Sequence, residues 1–388
     1  MVKTMYNINA FQNEREVLVM TTLSENYFNV CEFGAVADGN TDDTAAIQAC
    51  LDKAQQEGGT AYFPHGKYKI EGTLLFGKED NGNKAFSIKG EGRGNSRSVL
   101  LKTNAGDIAQ TKSRAKLEIS SLAFNHYGPE GRSLFLDTEM SYGVYDCFFT
   151  NAAGNKSDML CFNGSYTDIV NSCFGNASPE AYAIHCTTIK GKININSNIF
   201  DCRIHGPGKG LLVDSTNNNR PEGLKVSRNM FLNTGREQIT VKNILHIDIS
   251  NNMLDQSSKW SILLEPEATG LCGVYIMGNY ISPAQDQKDG IAIEIVENDL
   301  LALTINVSNN MIAYTGYGFI AGKNTRQALL TGNAFNDVEH DAIRLINTRG
   351  SIVNANTIWM CKGESCVCEN TLYENEAPIV QNNTTCVL

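Results

Sequence analysis

Several things are scarce in this chain of 388 residues, and each scarcity excludes something. No run of 18 apolar residues occurs, so no membrane-spanning helix is expected. Glu14, Arg15 and Glu16 stand where a secretory leader would need its apolar stretch, so no such leader is expected. Basic residues are outnumbered, with 32 Lys+Arg against 42 Asp+Glu and a net charge of −10, which argues against a nucleic-acid partner. Twelve Cys are too few for a disulfide scaffold, and most read as small buried hydrophobes. Proline numbers only 8, whereas Asn reaches 42, so many tight turns of one kind are expected. With 42% hydrophobic residues the chain can still bury a large core.

A six-residue phrase recurs from residue 119 onward: an apolar residue, two small or polar ones, usually Asn, any residue, then an apolar one. Its copies close at Phe124, Phe149, Phe174, Phe200, Phe231, Leu254, Ile281, Ile312, Phe335 and Ile358. The steps between them are 25, 25, 26, 31, 23, 27, 31, 23 and 23 residues. Each copy alternates as a half-buried strand should, and no amphipathic helix of useful length separates the copies. Helical solenoids are thereby excluded. The pattern predicts an all-β fold, a right-handed parallel β-helix of about ten or more coils, with Asn amides stacked from coil to coil.

The repeats are preceded by Thr41-Asp42-Asp43-Thr44, the helical pattern AAIQACLDKAQQ, and Gly58-Gly59. Thr41 or Asp42 is placed to cap a helix at about 43–57, and the glycines to stop it. One helix ahead of an all-β solenoid makes sense as a lid over the open first coil. The expected organisation is an arm at 1–28, the β-helix at 29–360, and a tail at 361–388 carrying Cys361, Cys366, Cys368 and Cys386. The tail's spacing fits no zinc template, and no metal or cofactor is expected.

FGAVADGNTDDTAAIQACLDKA followed by GGTAYFPHGKYKI resembles the opening of the pectate-lyase-like β-helix superfamily, which includes phage tailspike depolymerases and polygalacturonase-like hydrolases. The resemblance covers about residues 28–76 and implies the fold. Residues 206–256 resemble the central coils of tailspikes and, more weakly, the inulin-fructotransferase family. The latter resemblance implies that Glu222, just before Gly223-Leu224, and Asp214, eight residues upstream, form an acid/base pair. That spacing is shorter than in the family. Relatives of this type also imply a side-by-side homotrimer.

The residues point to the same region. The step from Phe200 to Phe231 is one of the two longest, and Asp214–Pro221 is a polar insertion within it. Insertions in a solenoid line one face, where a glycan can lie. Glycosidic cleavage needs two carboxyl groups, one protonated and one ionised. The expected catalytic residues are Glu222 as acid and Asp214 as its ionised partner, with Glu237 as substitute. Arg220, Arg236, Lys242, Asp255, Trp260, Glu265 and His205 are the expected substrate contacts. Glu180 and Asp201 belong to the same acidic neighbourhood.

The expectation is therefore an enzyme that cleaves or rearranges a polysaccharide. A lyase using His205 or His185 as base stays open, as does a spike that binds glycan without catalysis.

Overall fold

The computed structural model describes residues 26–386, apart from 93–96, 113, 138–140, 189–193, 216–218 and 284–287. The expected arm therefore lies almost wholly outside the described residues. Short strands stack into three parallel sheets, called A, B and C here, with 14, 14 and 12 strands. The chain visits A, then B, then C, and each strand pairs with its counterparts one coil away. In the middle of the solenoid, for example, Asn198–Phe200 of sheet A pairs with Glu222–Ser227. Along most strands alternate residues point inward, whereas sheet-C strands can turn two successive residues in, as at Ala183 and Ile184, and Ile, Leu, Val and Phe fill one continuous core. Phe124, Phe149 and Phe174 stack there at ring spacings of 4.8 and 4.7 Å. No helix among the described residues is long and apolar enough to cross a membrane.

The A-to-B corner explains the abundance of Asn. Asn252, Asn279, Asn310, Asn333 and Asn356 are buried there, one per coil. Each Nδ2 donates to the Oδ1 of the next Asn, at 3.0 Å from Asn252 to Asn279 and 2.9 Å from Asn279 to Asn310. That Oδ1 also accepts from the backbone N–H of the preceding Asn, 2.9 Å for Asn252. The second Nδ2 hydrogen goes to a backbone carbonyl, Ile249 O at 2.8 Å for Asn279. The ladder thus satisfies polar groups that the corner would otherwise bury without partners. The residue just before each Asn, not the Asn itself, takes the left-handed conformation, as at Arg228, Asn251 and Asn309.

One copy of the repeat is misplaced in the sequence reading. Phe200 pairs with Val170 in sheet A, so it lies at the end of that strand and not at the phrase-closing position. The true counterpart of Phe174 and Phe231 is Ile204. INSNIF imitates the phrase because its own alternation and its Asn198 fall in the same order. The long step is therefore Phe174 to Ile204, at 30 residues, followed by 27 to Phe231. The stacking continues past residue 360, with Val367–Glu369, Ile379–Gln381 and Thr384–Cys386 extending all three sheets.

Helix α1 (Thr44–Glu57) stands between the strands Asp38–Asp42 and Thr60–Phe63, where later coils place a sheet-C strand. Ile47, Cys50, Leu51 and Ala54 are buried on its inner face, and Gly58 ends it at φ 76°. The cap differs from the expectation. Asp43 holds the N-cap position without bonding the helix, and its carboxylate accepts from Val36 and Ala37 N–H. Asp42 accepts from Thr44 N–H at 3.1 Å.

Candidate active site

Sheet C turns two columns of side chains outward. One runs through Tyr182 and Lys209 to the neighbouring pair Glu237 and Trp260. The other runs Cys161, His185, Leu212, Thr240 and Leu263. The loops entering and leaving these strands rim the face.

His185, on the strand Tyr182–Cys186, is gripped from both sides. Its Nδ1 lies 2.7 Å from Asp158 Oδ2, and its Nε2 lies 2.8 Å from Asp214 Oδ1. Both carboxylates are themselves held. Asp158 accepts from Tyr182 N–H at 2.8 Å, and Asp214 accepts from the Thr187 hydroxyl at 2.6 Å. Burial pulls the imidazole's pKa down, but the hydrogen bonds to Asp158 and Asp214 outweigh it and hold it well above the usual value. Burial also opposes ionisation of Asp214, yet His185, Thr187 and Lys242 keep its pKa below the usual carboxylate value. The arrangement, an imidazole between two carboxylates, favours the protonated ring. It can give up a proton and take one back.

A second cluster lies two coils further along. Glu237 is only 6% exposed. Lys209 Nζ stands 3.6 Å from one of its oxygens and Arg236 Nε 3.9 Å from the other, both too long for hydrogen bonds. Oε2 has no hydrogen-bond partner among the described residues. The Trp260 indole N–H donates to Glu294, while Arg236 and Lys259 lie 5.1 and 4.0 Å from its ring centroid. An open cleft of about 490 Å³ adjoins, lined by Pro179, Glu180, Pro207, Lys209, Gly235, Arg236 and Ser258.

The expected site residues divide by sheet. Asp214, Glu237, Arg236, Lys242, Trp260 and Glu265 gather on the face and edges of sheet C. Lys242 there binds Glu265 and Glu267 at 3.3 and 2.9 Å. Glu222 instead opens a sheet-A strand and is exposed. No hydrogen bond joins it to Asp214 among the described residues. Arg220 is half-buried in the connecting loop, of which 216–218 lie outside the described residues. His205 and Asp255 end sheet-B strands, away from this face. Burial pushes the pKa of His205 down and that of Asp255 up. Asp201 sits at the A-to-B corner with Arg228 at 2.8 Å, so it shares no register with Asp255. Glu180 lines the cleft and pairs with Lys156. Asp214 and Glu237 stand at opposite ends of adjacent strands, roughly 16 Å apart at five residues of rise. They cannot flank one glycosidic bond.

His185 was legible only as one of two open histidines, and Asp158 was missed. The signal was present: Asp158, His185 and Asp214 are spaced by 27 and 29 residues, one coil each.

Residues 27–269 match the family model described as rhamnogalacturonase A/epimerase, pectate lyase-like. The chain belongs to this polysaccharide-active family of right-handed β-helix proteins. A mannuronan C5-epimerase of Azotobacter vinelandii, AlgE3, is 56% identical over 46 residues, which are 12% of this chain and 2% of that protein. The A-module of the Azotobacter vinelandii mannuronan C-5 epimerase AlgE6 superposes with a TM-score of 0.60 at 15% identity, covering 92% of this chain and 99% of the module. PfbA, a surface adhesin of Streptococcus pneumoniae, gives 0.56 at 15% identity, covering 93% and 91%. At these identities the superpositions show the fold, and the fold is shared by an enzyme and an adhesin.

Proposed function

We propose that the chain is an enzyme that cleaves glycosidic bonds in a polysaccharide lying along the outer face of sheet C, with His185 as proton donor. One observation carries this reading: an imidazole whose two nitrogens lie 2.7 and 2.8 Å from two carboxylates, facing outward from the sheet. Cleavage by either hydrolysis or elimination must protonate the leaving oxygen. His185 supplies that proton from Nε2 once a sugar oxygen displaces Asp214. Asp214, kept ionised, is the base beside it. Asp158 is a positioning residue that orients the ring and keeps Nδ1 protonated.

The two routes differ in where the second proton goes. Elimination from a uronate unit takes a proton from the carbon next to the carboxylate while the glycosidic oxygen leaves. An acid and a base side by side suit that route. Hydrolysis with two carboxyls wants them about 5–9.5 Å apart across the bond. Glu222 and Asp214 remain the hydrolytic alternative, supported by the single loop that joins them. Product analysis on alginate, polygalacturonate and rhamnogalacturonan separates the routes. Elimination gives ultraviolet-absorbing unsaturated ends, and hydrolysis gives reducing ends without them. Binding without any product on the whole panel would leave a glycan-binding spike.

Two further features belong to the same proposal. Helix α1 acts as the lid of the first coil, a reading supported by its apolar inner face. The chain assembles as a homotrimer, supported by an apolar stripe on sheet B that includes Met253, 39% exposed, and Met311, 46% exposed.

A further inference from the structure

Glu237 is not part of the proton-transfer site, although the cleft beside it reaches Pro179 and Glu180 in the loop that leads into the His185 strand. The strand of His185 is two coils away, about 10 Å along the solenoid axis. A buried carboxylate oxygen with no hydrogen-bond partner is costly, by about 1–3 kcal/mol or more for a charged group, unless something supplies a donor. Lys209 and Arg236 neutralise the charge at 3.6 and 3.9 Å but do not close on the oxygens. Both cations line the cleft, Lys209 beside the partnerless Oε2 and Arg236, its side chain 61% exposed, beside Oε1.

The chemistry of the pair limits what fits. An anionic sugar has hydroxyls to donate, but its carboxylate competes with Glu237 for Lys209 and Arg236 and sets a second negative charge beside a buried one. A sugar bearing an ammonium group meets Lys209 and Arg236. A neutral sugar offers hydroxyl hydrogens to Glu237 and hydroxyl oxygens to the two cations. Resting on the functional reading above, we propose that this cleft is a separate subsite for a neutral, hydroxyl-rich sugar unit. A linear glycan lying along sheet C would engage it while another unit is at His185. Glu237 then anchors substrate and does not take part in bond cleavage.

The test uses the full chain and three probes: methyl α-rhamnoside, sodium galacturonate and glucosamine, each followed by saturation-transfer NMR. The neutral glycoside should receive saturation that depends on Glu237, and any saturation of galacturonate or glucosamine should be the same in wild type and Glu237→Gln. The Glu237→Gln variant should lose most of the neutral glycoside's signal, and His185→Gln should keep it. On a polysaccharide the wild type cleaves, Glu237→Gln should raise KM about tenfold or more, the scale of one charged hydrogen bond, with kcat held. Thermal melts confirm that both variants are folded. If galacturonate or glucosamine shows saturation that Glu237→Gln removes, or if the neutral glycoside does not bind, the subsite is wrong. If Glu237→Gln lowers kcat with KM unchanged, Glu237 belongs to the chemistry instead. Failure of the functional reading looks different: the neutral glycoside binds at Glu237, yet no polysaccharide is turned over.

Discussion

His185 Nε2 lies 2.8 Å from Asp214 Oδ1, the residue that follows the neighbouring sheet-C strand and stands 29 residues further along the sequence. Asp158, one coil to the other side, completes a line of three titratable groups across three coils. Such a line exists only because the solenoid repeats closely enough to stack them.

The line makes stability depend on pH in a defined direction. The pKa of His185 is raised on folding, so its contribution is complete below the unfolded value near 6.5 and fades as pH rises through the folded value. The pKa of Asp214 is lowered, so its contribution is complete above about 3.9 and is lost as pH falls through the folded value. Asp214→Asn should therefore lower the melting temperature most between about pH 4 and 6.5, and progressively less at alkaline pH. A difference from wild type that stays constant from pH 4 to 10 would refute the linkage.

Neighbouring corner residues should respond oppositely to substitution. Asn279→Ala strips donors and acceptors from buried partners on both adjacent coils and should cost about 1–3 kcal/mol or more in urea unfolding. Asn251, at φ 56°, should accept Gly with little loss and should be destabilised by Val. Equal effects at the two positions would contradict the division between ladder and turn.

Assembly is checked by light scattering at micromolar concentration. A homotrimer gives three times 42.5 kDa. Placing Lys at both Met253 and Met311 should shift the mass toward one chain, since it puts charge into the stripe proposed as the contact. A wild-type mass of a single chain would dismiss the trimer.

Much of the fold was legible because it is periodic. The Asn of ISNNML, IMGNYI and VSNNMI sits where the ladder needs it, and the glycines after the helical pattern end the helix. Register was harder to read. INSNIF satisfied the pattern one corner too early, because an alternating strand with a nearby Asn looks the same from either side of a turn. The site was only partly legible. The sequence pattern points to carboxylates along one inserted loop, whereas the groups that meet come from three coils and the outward phase of sheet C. Glu222 and Asp214 are close in sequence, but the chain between them turns from sheet C into sheet A. His185 and Asp158 are distant in sequence and touch.

The most direct measurement is the steady-state kinetics of His185→Gln on the polysaccharide that the wild type cleaves, with oligosaccharide binding measured in parallel. A proton donor at His185 predicts that kcat falls by about 10²–10⁴-fold while affinity changes by no more than about twofold. If kcat stays within about tenfold of wild type in the folded variant, the proton comes from elsewhere and the central claim is wrong.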